Sequence, residues 1–300
     1  MNILITGGTG LIGRALIESL LGKPVEITVL TRNIPAAQNT FPMKVNLIDK
    51  LTLGVIEEQD IIINLAGEPI AEKRWSSQQK NKICQSRWLI TEQLSHLITQ
   101  AKSAPSLFIS GSAVGIYGRQ SQTNIDENFT NYSDEFTHKV CSTWEKIALN
   151  TQSANTRIAI LRTGIVLSNK GGALPKMLLP FKLGLGGKIA TGQQIMSWIH
   201  IDDMVAAILH IMKTNTLQGV INMTSANPVS NKVFSIALSQ SLNRPSFMTT
   251  PSFMLKIIFG EMADLMLFGQ HVIPNKLLNS KFSFRFSTIE NALNDLIAHK

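Results

Sequence analysis

One stretch constrains this chain more than any other: ITGGTGLIG, from Ile5 to Gly13. It follows the apolar run Ile3, Leu4, Ile5 and leads into Leu11, Ile12, Ala15, Leu16, Ile17, Leu20 and Leu21, which are spaced as one face of a helix. The local order is therefore strand, glycine turn, helix. A turn of this kind can bring backbone against a pyrophosphate. Gly7 lets the chain leave the strand sharply, Gly10 removes the side chain that would hold the anion off, and Gly13 lets the helix pack close to the sheet. Gly8, Thr9, Leu11 and Ile12 complete the expected cradle, with the first amides of the helix and its dipole facing negative charge.

The spacing is GxxGxxG, not the GxGxxG of the dehydrogenase fingerprint, so the reading rests on context. Val25 to Leu30 reads as the next strand and ends in Thr31 and Arg32. At that tip an acid suits a ribose 2'-hydroxyl and an arginine suits a 2'-phosphate, so Arg32 points to NADP over NAD.

Further along, Met43 to Leu47 reads as a short strand after a polar link holding Pro35. Asp60 to Asn64 reads as a buried strand delivering Leu65, Ala66 and Gly67 at its carboxyl end, where an open parallel sheet binds its ligand. Ser76 to Lys102 is helical, opened by a capping-box spacing of Ser76 and Gln79. Its Cys84, Arg87 and Thr91 share a face beside the core stripe, and Arg87 is a candidate phosphate or adenine contact. Leu107 to Ile109 is a strand with Ser110, Gly111 and Ser112 at its tip. A long polar loop, a helix from about Asp134 to Asn150, and the strand Arg157 to Arg162 ending in Thr163, Gly164 and Ile165 follow. Beyond lie Leu174 to Leu183, a helix from Met204 to Met212 that Asp202 would cap, a strand Val220 to Met223, helices at Ser230 to Leu242 and Pro251 to Phe268, and a last helix from about Thr288. These pieces give an α/β fold: a Rossmann-like, doubly wound parallel sheet over residues 1–168 with a returning segment around 198–224, and a smaller C-terminal α/β substrate domain over 169–300.

Composition narrows the partners. Three hundred residues with 44% hydrophobic content suffice for a large core. Cys84 and Cys141 are the two cysteines and no cluster has metal-ligand spacing, which fits a reducing cytoplasm and no metal site. The chain enters its first strand at once, so no secretory leader is expected. Phe253 to Phe268 carries Lys256, Glu261 and Asp264, which argues for an amphipathic helix and against a membrane span. The net charge of +8 is scattered along the chain, so neither nucleic acid nor membrane is the expected partner.

The chain resembles the short-chain dehydrogenase/reductase superfamily in its extended, atypical form, through ITGGTGLIG, NLAG at Asn64 to Gly67, ISGSAVGIYG at Ile109 to Gly118, LRTGIVL at Leu161 to Leu167 and WIHIDDM at Trp198 to Met204. More narrowly, INLAGEPIAEKRW at Ile63 to Trp75, QSRW at Gln85 to Trp88, LPFKLGLGGKIATG at Leu179 to Gly192 and GEMADLMLFGQHVIP at Gly260 to Pro274 resemble the bacterial "epimerase family" with its small C-terminal domain of unknown function. The resemblance implies NADP contacts on the glycine turn, Thr31, Arg32, Leu65, Ala66, Arg87 and Ile165. It also implies a small-molecule substrate of the nucleotide-sugar kind and a homodimer built on a four-helix bundle.

The resemblance breaks at the catalytic centre. The superfamily uses a tyrosine with a lysine four residues later to exchange a proton with the substrate hydroxyl. The tyrosines here, Tyr117 and Tyr132, are followed at that spacing by Ser121 and Phe136, and aligning on Glu145 puts Thr137 and Cys141 in the two places. Ser112 matches the superfamily's catalytic serine. Of the nearby titratable groups, His138 and Lys139 follow it in order as candidates, ahead of Tyr117 and His200, a histidine having the intrinsic pKa best suited to proton transfer near neutrality. Two readings stay open: an NADP-dependent oxidoreductase of the epimerase kind with an altered proton donor, and a non-catalytic NADP(H)-binding redox sensor or partner-binding protein.

Overall fold

A computed structural model describes residues 1–41, 44–120, 123–151, 153 and 155–298. The first element is β1 (Asn2–Thr6), and the glycine turn carries it into α1 (Leu11–Leu20). β2 (Glu26–Leu30) and β3 (Val45–Ile48) follow, so the third strand begins past Met43, which lies outside the described residues. The link between them holds a one-turn helix, Ile34–Gln38, because Asn33 accepts from the Ala36 amide and Pro35 sits in the first turn, where its missing N–H costs nothing.

β4 (Ile61–Asn64) leads through a loop to α2 (Ser77–Gln100), whose Ser76 cap accepts from the Gln79 amide at 3.1 Å. β5 (Leu107–Ala113) runs four residues further than its apolar pattern indicates, since each added residue pairs with the neighbouring strand, Ser112 opposite Arg162. Ser110, Gly111 and Ser112 therefore lie inside the strand. The polar loop after it is partly ordered into a turn, Val114–Tyr117, and a short strand, Asn124–Ile125, paired with His271–Val272. α3 (Phe136–Leu149), β6 (Arg157–Thr163), α4 (Leu174–Lys182), α5 (Ile201–Lys213) and β7 (Gly219–Met223) come next.

The strands form a sheet in the order β7-β6-β5-β4-β1-β2-β3, and every pairing is parallel. The order reverses beside β1, so the carboxyl ends of β1 and β4 open a crevice there. Strand alternation builds one core on each face. Ile3, Ile5, Ile61 and Ile63 meet α1 and α5 on one side, while Leu4, Ile62 and Phe108 meet Leu94 and Ile98 of α2 on the other. Each such fully buried side chain is worth about 1.5 to 3 kcal/mol, which is why neither face tolerates a register slip.

Of the later helices, α6 (Asn231–Ser241) and α8 (Ile289–Ala298) pack with α4 in a smaller layer, and α7 (Ser252–Phe259) follows the strand Met248–Thr250 beside it. There Leu174, Phe181, Phe234, Leu238 and Leu293 close around the buried Trp198. Two expectations change here. The apolar stretch from Pro251 to Phe268 is not one helix: Gly260 takes φ +60 and a Cβ there would stand 2.8 Å from Arg74 Nε, so the chain breaks into α7, a turn and a further short helix. The cap of α5 is His200, not Asp202. The strand Trp198–His200 runs straight into the helix, and His200 Nδ1 accepts from the Asp202 amide at 3.1 Å. Among the described residues no helix is long and apolar enough to cross a membrane.

Candidate active site

The glycine turn sits at the tip of β1, in the crevice. Gly7 takes φ +69, and a Cβ on it would stand 2.5 Å from the Leu65 carbonyl carbon, so β1 and β4 come together there only because Gly7 has no side chain. A Cβ on Gly13 would stand 2.4 Å from the Gly7 oxygen, and the Gly10 amide donates to that same oxygen at 2.9 Å. The α1 amino terminus has no side-chain cap and no acid in its first turn, which leaves the first amides free for an anion. Gly8 serves the packing of the turn on β2, since a Cβ there would meet Val29 at 2.8 Å.

Around this cradle the expected contacts gather. Arg32 is exposed at the end of β2 and makes no ion pair among the described residues; Thr31 beside it accepts from the Asn33 amide. Leu65, Ala66 and Gly67 leave β4 next to the turn. Arg87 of α2 lies over Gly67, so that a Cβ on Gly67 would stand 3.0 Å from its Cζ. Its guanidinium donates to the Ile83 carbonyl at 2.9 Å and stacks on Trp144 at 5.3 Å. Burial pulls its pKa down, and no carboxylate pairs with it among the described residues. A half-buried cation over the loop that leaves β4, without a carboxylate partner among the described residues, fits a phosphate-bearing dinucleotide.

A buried polar chain fixes the strand tips beneath. Thr6 donates to Asn64 Oδ1, Asn64 Nδ2 donates to Thr91, and Trp144 Nε1 donates to the same Thr91 hydroxyl, at 2.6, 2.8 and 2.8 Å. Ser110 is fully buried within β5, and Gly111 lies under the Trp144 ring. Gly164, just past Thr163, passes so close to Ser197 that a Cβ would stand 2.2 Å from its carbonyl oxygen, and the half-buried Ile165 donates its amide to that oxygen at 2.8 Å.

Ser112 donates to Glu145 Oε1 at 2.6 Å, and Glu145 takes both arms of Arg162, Nε at 2.9 Å and Nη2 at 2.8 Å. Arg162 Nη1 donates to Tyr117 OH at 3.0 Å, which donates to Asn222 Oδ1 at 2.7 Å. Burial works against the Arg162 charge, but the Glu145 bonds outweigh it and the guanidinium is held charged. Burial pushes the Tyr117 hydroxyl up to about 12, so it stays protonated near neutrality and supplies no phenolate to act as a base. Neither Glu145 nor Arg162 stands out as a site residue in the sequence. The available signal is a charge in each of two apolar patterns, Arg162 after Ile160 on β6 and Glu145 one turn past Cys141 on α3.

Thr137 and Cys141, in the tyrosine and lysine places, are buried; Thr137 packs on Gly115, and burial pushes the Cys141 thiol up to about 11. His138 is half-buried against Tyr132, ring centroids 5.1 Å apart, with Nδ1 2.6 Å from the Ile116 carbonyl. Lys139 lines a separate cleft of about 620 Å³ between α2 and α3, with Lys80, Trp88 and Glu261. His200 is buried as the α5 cap, stacked on Phe286 at 3.8 Å.

A parallel sheet in this order, with a side-chain-free cradle at its first strand tip, defines a Rossmann-type dinucleotide-binding protein. Comparison with known proteins narrows the class: the chain belongs to the NAD dependent epimerase/dehydratase family, whose model matches residues 3–223, and a domain of unknown function, DUF1731, matches 250–296. An epimerase family protein of Staphylococcus saprophyticus is 37% identical over 296 residues, covering 99% of each chain. The crystal structure of the human epimerase family protein SDR39U1 (isoform 2) with NADPH superposes with a TM-score of 0.89 at 30% identity, covering 100% of both chains. A nucleoside-diphosphate sugar epimerase from Corynebacterium glutamicum superposes with a TM-score of 0.79 at 28% identity, covering 99% of this chain and 58% of the other.

Proposed function

We propose that the protein is an NADP-dependent, epimerase-like oxidoreductase acting on a carbonyl or hydroxyl compound of the nucleotide-sugar class, with His138 in place of the tyrosine and lysine pair. Preference for NADP rests on the exposed Arg32, which has no ion pair among the described residues, and on the NADPH complex of the human relative. The substrate class rests on the name of the Corynebacterium relative. Gly7, Gly10, Gly13, Leu65, Ala66, Arg87 and Ile165 would hold the cofactor, which when bound supplies or accepts a hydride.

The observation that carries the reading is the bond of His138 to Ile116. A carbonyl can only accept, so Nδ1 holds a proton, and in the neutral ring the lone pair a general base needs is then on Nε2. The Ser112 hydroxyl directs its hydrogen at Glu145, so it offers lone pairs and orients a substrate that presents a hydroxyl. The buried Glu145 and Arg162 keep that orientation from turning. Lys139 remains as a third candidate that could meet an anionic part of a substrate.

The test is turnover of NADPH, or of NADP with alcohols, over a panel of carbonyl compounds and nucleotide sugars, with Ser112→Ala and His138→Asn as controls. Turnover lost in both variants upholds the proposal. The second reading, an NADP(H)-binding redox sensor, is favoured by the buried Thr137 and Cys141 in the places of the usual pair. It predicts tight NADPH binding and no turnover on any compound.

A further inference from the structure

The smaller layer exposes an apolar face that nothing in the described chain covers. The strands Gly187–Ile189 and Met248–Thr250 pair in parallel with Met248 opposite Gly187, so the segments leading into them, which carry the exposed Leu185 and Phe247, enter from the same end. Leu179 and Leu183 stand exposed at the end of α4, and Phe253 and Ile257 lie on the outward side of α7, whose Leu255 is buried. These six side chains are between 58% (Leu185) and 74% (Phe247) exposed. They line neither the cleft between α2 and α3 nor the larger one beside α1 and α5, so the face is not a wall of either hollow.

The segments that carry it are rich in bases, and the nearest acid past α7, Glu261, is paired with Lys80. Between Glu145 and Glu261 the acids are Asp202 and Asp203 alone, while Lys176, Lys182, Lys188, Lys232, Arg244 and Lys256 fall within the same span. Both acids are engaged elsewhere: Asp203 is buried and accepts from the Arg285 and Phe286 amides, and Asp202 pairs with Arg285. Lys182, Arg244 and Lys256 are exposed and make no ion pair among the described residues. Each of the three lies within three residues of an exposed apolar side chain: Lys182 beside Leu183, Arg244 three before Phe247 and Lys256 beside Ile257.

We propose that this face docks the protein onto an anionic lipid surface, the apolar tips entering the headgroup boundary and the lysines meeting lipid phosphates. A second copy of the chain suits it poorly, because a two-fold contact sets the same lysines against each other. A lipid surface supplies the missing negative charge and demands no matching shape. The absence of a spanning helix among the described residues is consistent with contact at the surface.

The experiment is co-sedimentation of the full chain with phosphatidylcholine vesicles, with and without about 30 mol% phosphatidylglycerol, and sedimentation velocity of the protein alone. The variants are Phe253→Ser with Ile257→Ser, and Lys182→Glu with Lys256→Glu, all on exposed positions away from the cradle. The expected result is binding to the anionic vesicles at least about tenfold above the neutral ones, falling about tenfold or more in either variant while circular dichroism and NADPH affinity stay as in the wild type. Equal binding to both vesicle types, or none, overturns the proposal. So does a wild-type dimer that Phe253→Ser with Ile257→Ser makes monomeric, which assigns the face to a second copy, or retention on polyglutamate without vesicle binding, which assigns it to an acidic protein.

Discussion

Ser112 and Glu145 stand 33 positions apart in sequence and share a hydrogen bond of 2.6 Å in the buried centre of the molecule. Arg162 holds the other side of Glu145 through two bonds. Glu145→Gln removes the charge that compensates the buried guanidinium, and breaking such a pair costs about 3 to 5 kcal/mol. Ser112→Ala removes one hydrogen bond to a carboxylate and costs about 1.5 to 3 kcal/mol. Urea denaturation measures both. Equal, small losses would mean that Arg162 is not held by Glu145.

Arg32 projects from the tip of β2 with no carboxylate partner among the described residues. Losing a charge-assisted contact to a 2'-phosphate is worth about 1.5 to 3 kcal/mol, or roughly 10- to 150-fold in affinity. Arg32→Asp is therefore expected to weaken NADPH binding by about that factor and to strengthen NADH binding. Fluorescence titration of both cofactors checks it, and unchanged affinities would reject the NADP assignment.

For Arg87 the two readouts move in opposite senses. Its cation is desolvated over Gly67 without a counter-ion among the described residues, so Arg87→Met relieves a cost of burial in the free protein and leaves stability equal or higher. The same change removes the phosphate partner and is expected to weaken NADPH binding about tenfold or more. A loss of stability without a loss of affinity would make Arg87 a packing residue.

The glycine turn, the order of strands and helices in the first half and the sheet's parallel character are legible in the sequence because continuous β-branched runs and a 3.6-residue period are local patterns. The Glu145–Arg162 pair is not, because it joins a helix to a strand 17 positions on and no local pattern links the two. Residue preference favours Asp202 as the α5 cap, yet the helix opens directly from a strand ending in His200. The break at Gly260 is hidden by apolar residues on both sides of it. The apolar pattern leaves Ser112 at a free strand tip, and only the pairing with β6 reveals that it lies inside the strand and faces Glu145.

His200 gives the molecule a pH dependence with a defined sign. Burial holds its pKa below the ordinary 6.5, against the pull of Asp202, Asp295 and Asp203. The unfolded chain therefore takes up a proton near pH 6.5 that the folded one resists, so stability is complete above that value and declines as pH falls below it. His200→Asn keeps an acceptor for the α5 amide without a titrating ring. Stability measured from about pH 7 to about pH 5 is expected to fall in the wild type and to be flatter in the variant. Parallel slopes would remove His200 from the account.

The most direct measurement is deuterium transfer from NADPH labelled on its nicotinamide ring to the compounds of the carbonyl and nucleotide-sugar panel, in the wild type and in His138→Asn. Label appearing in a product of the wild type, and falling at least about a hundredfold in the variant with NADPH affinity unchanged, is the result this account predicts. Tight NADPH binding with no label transferred to any compound would contradict it.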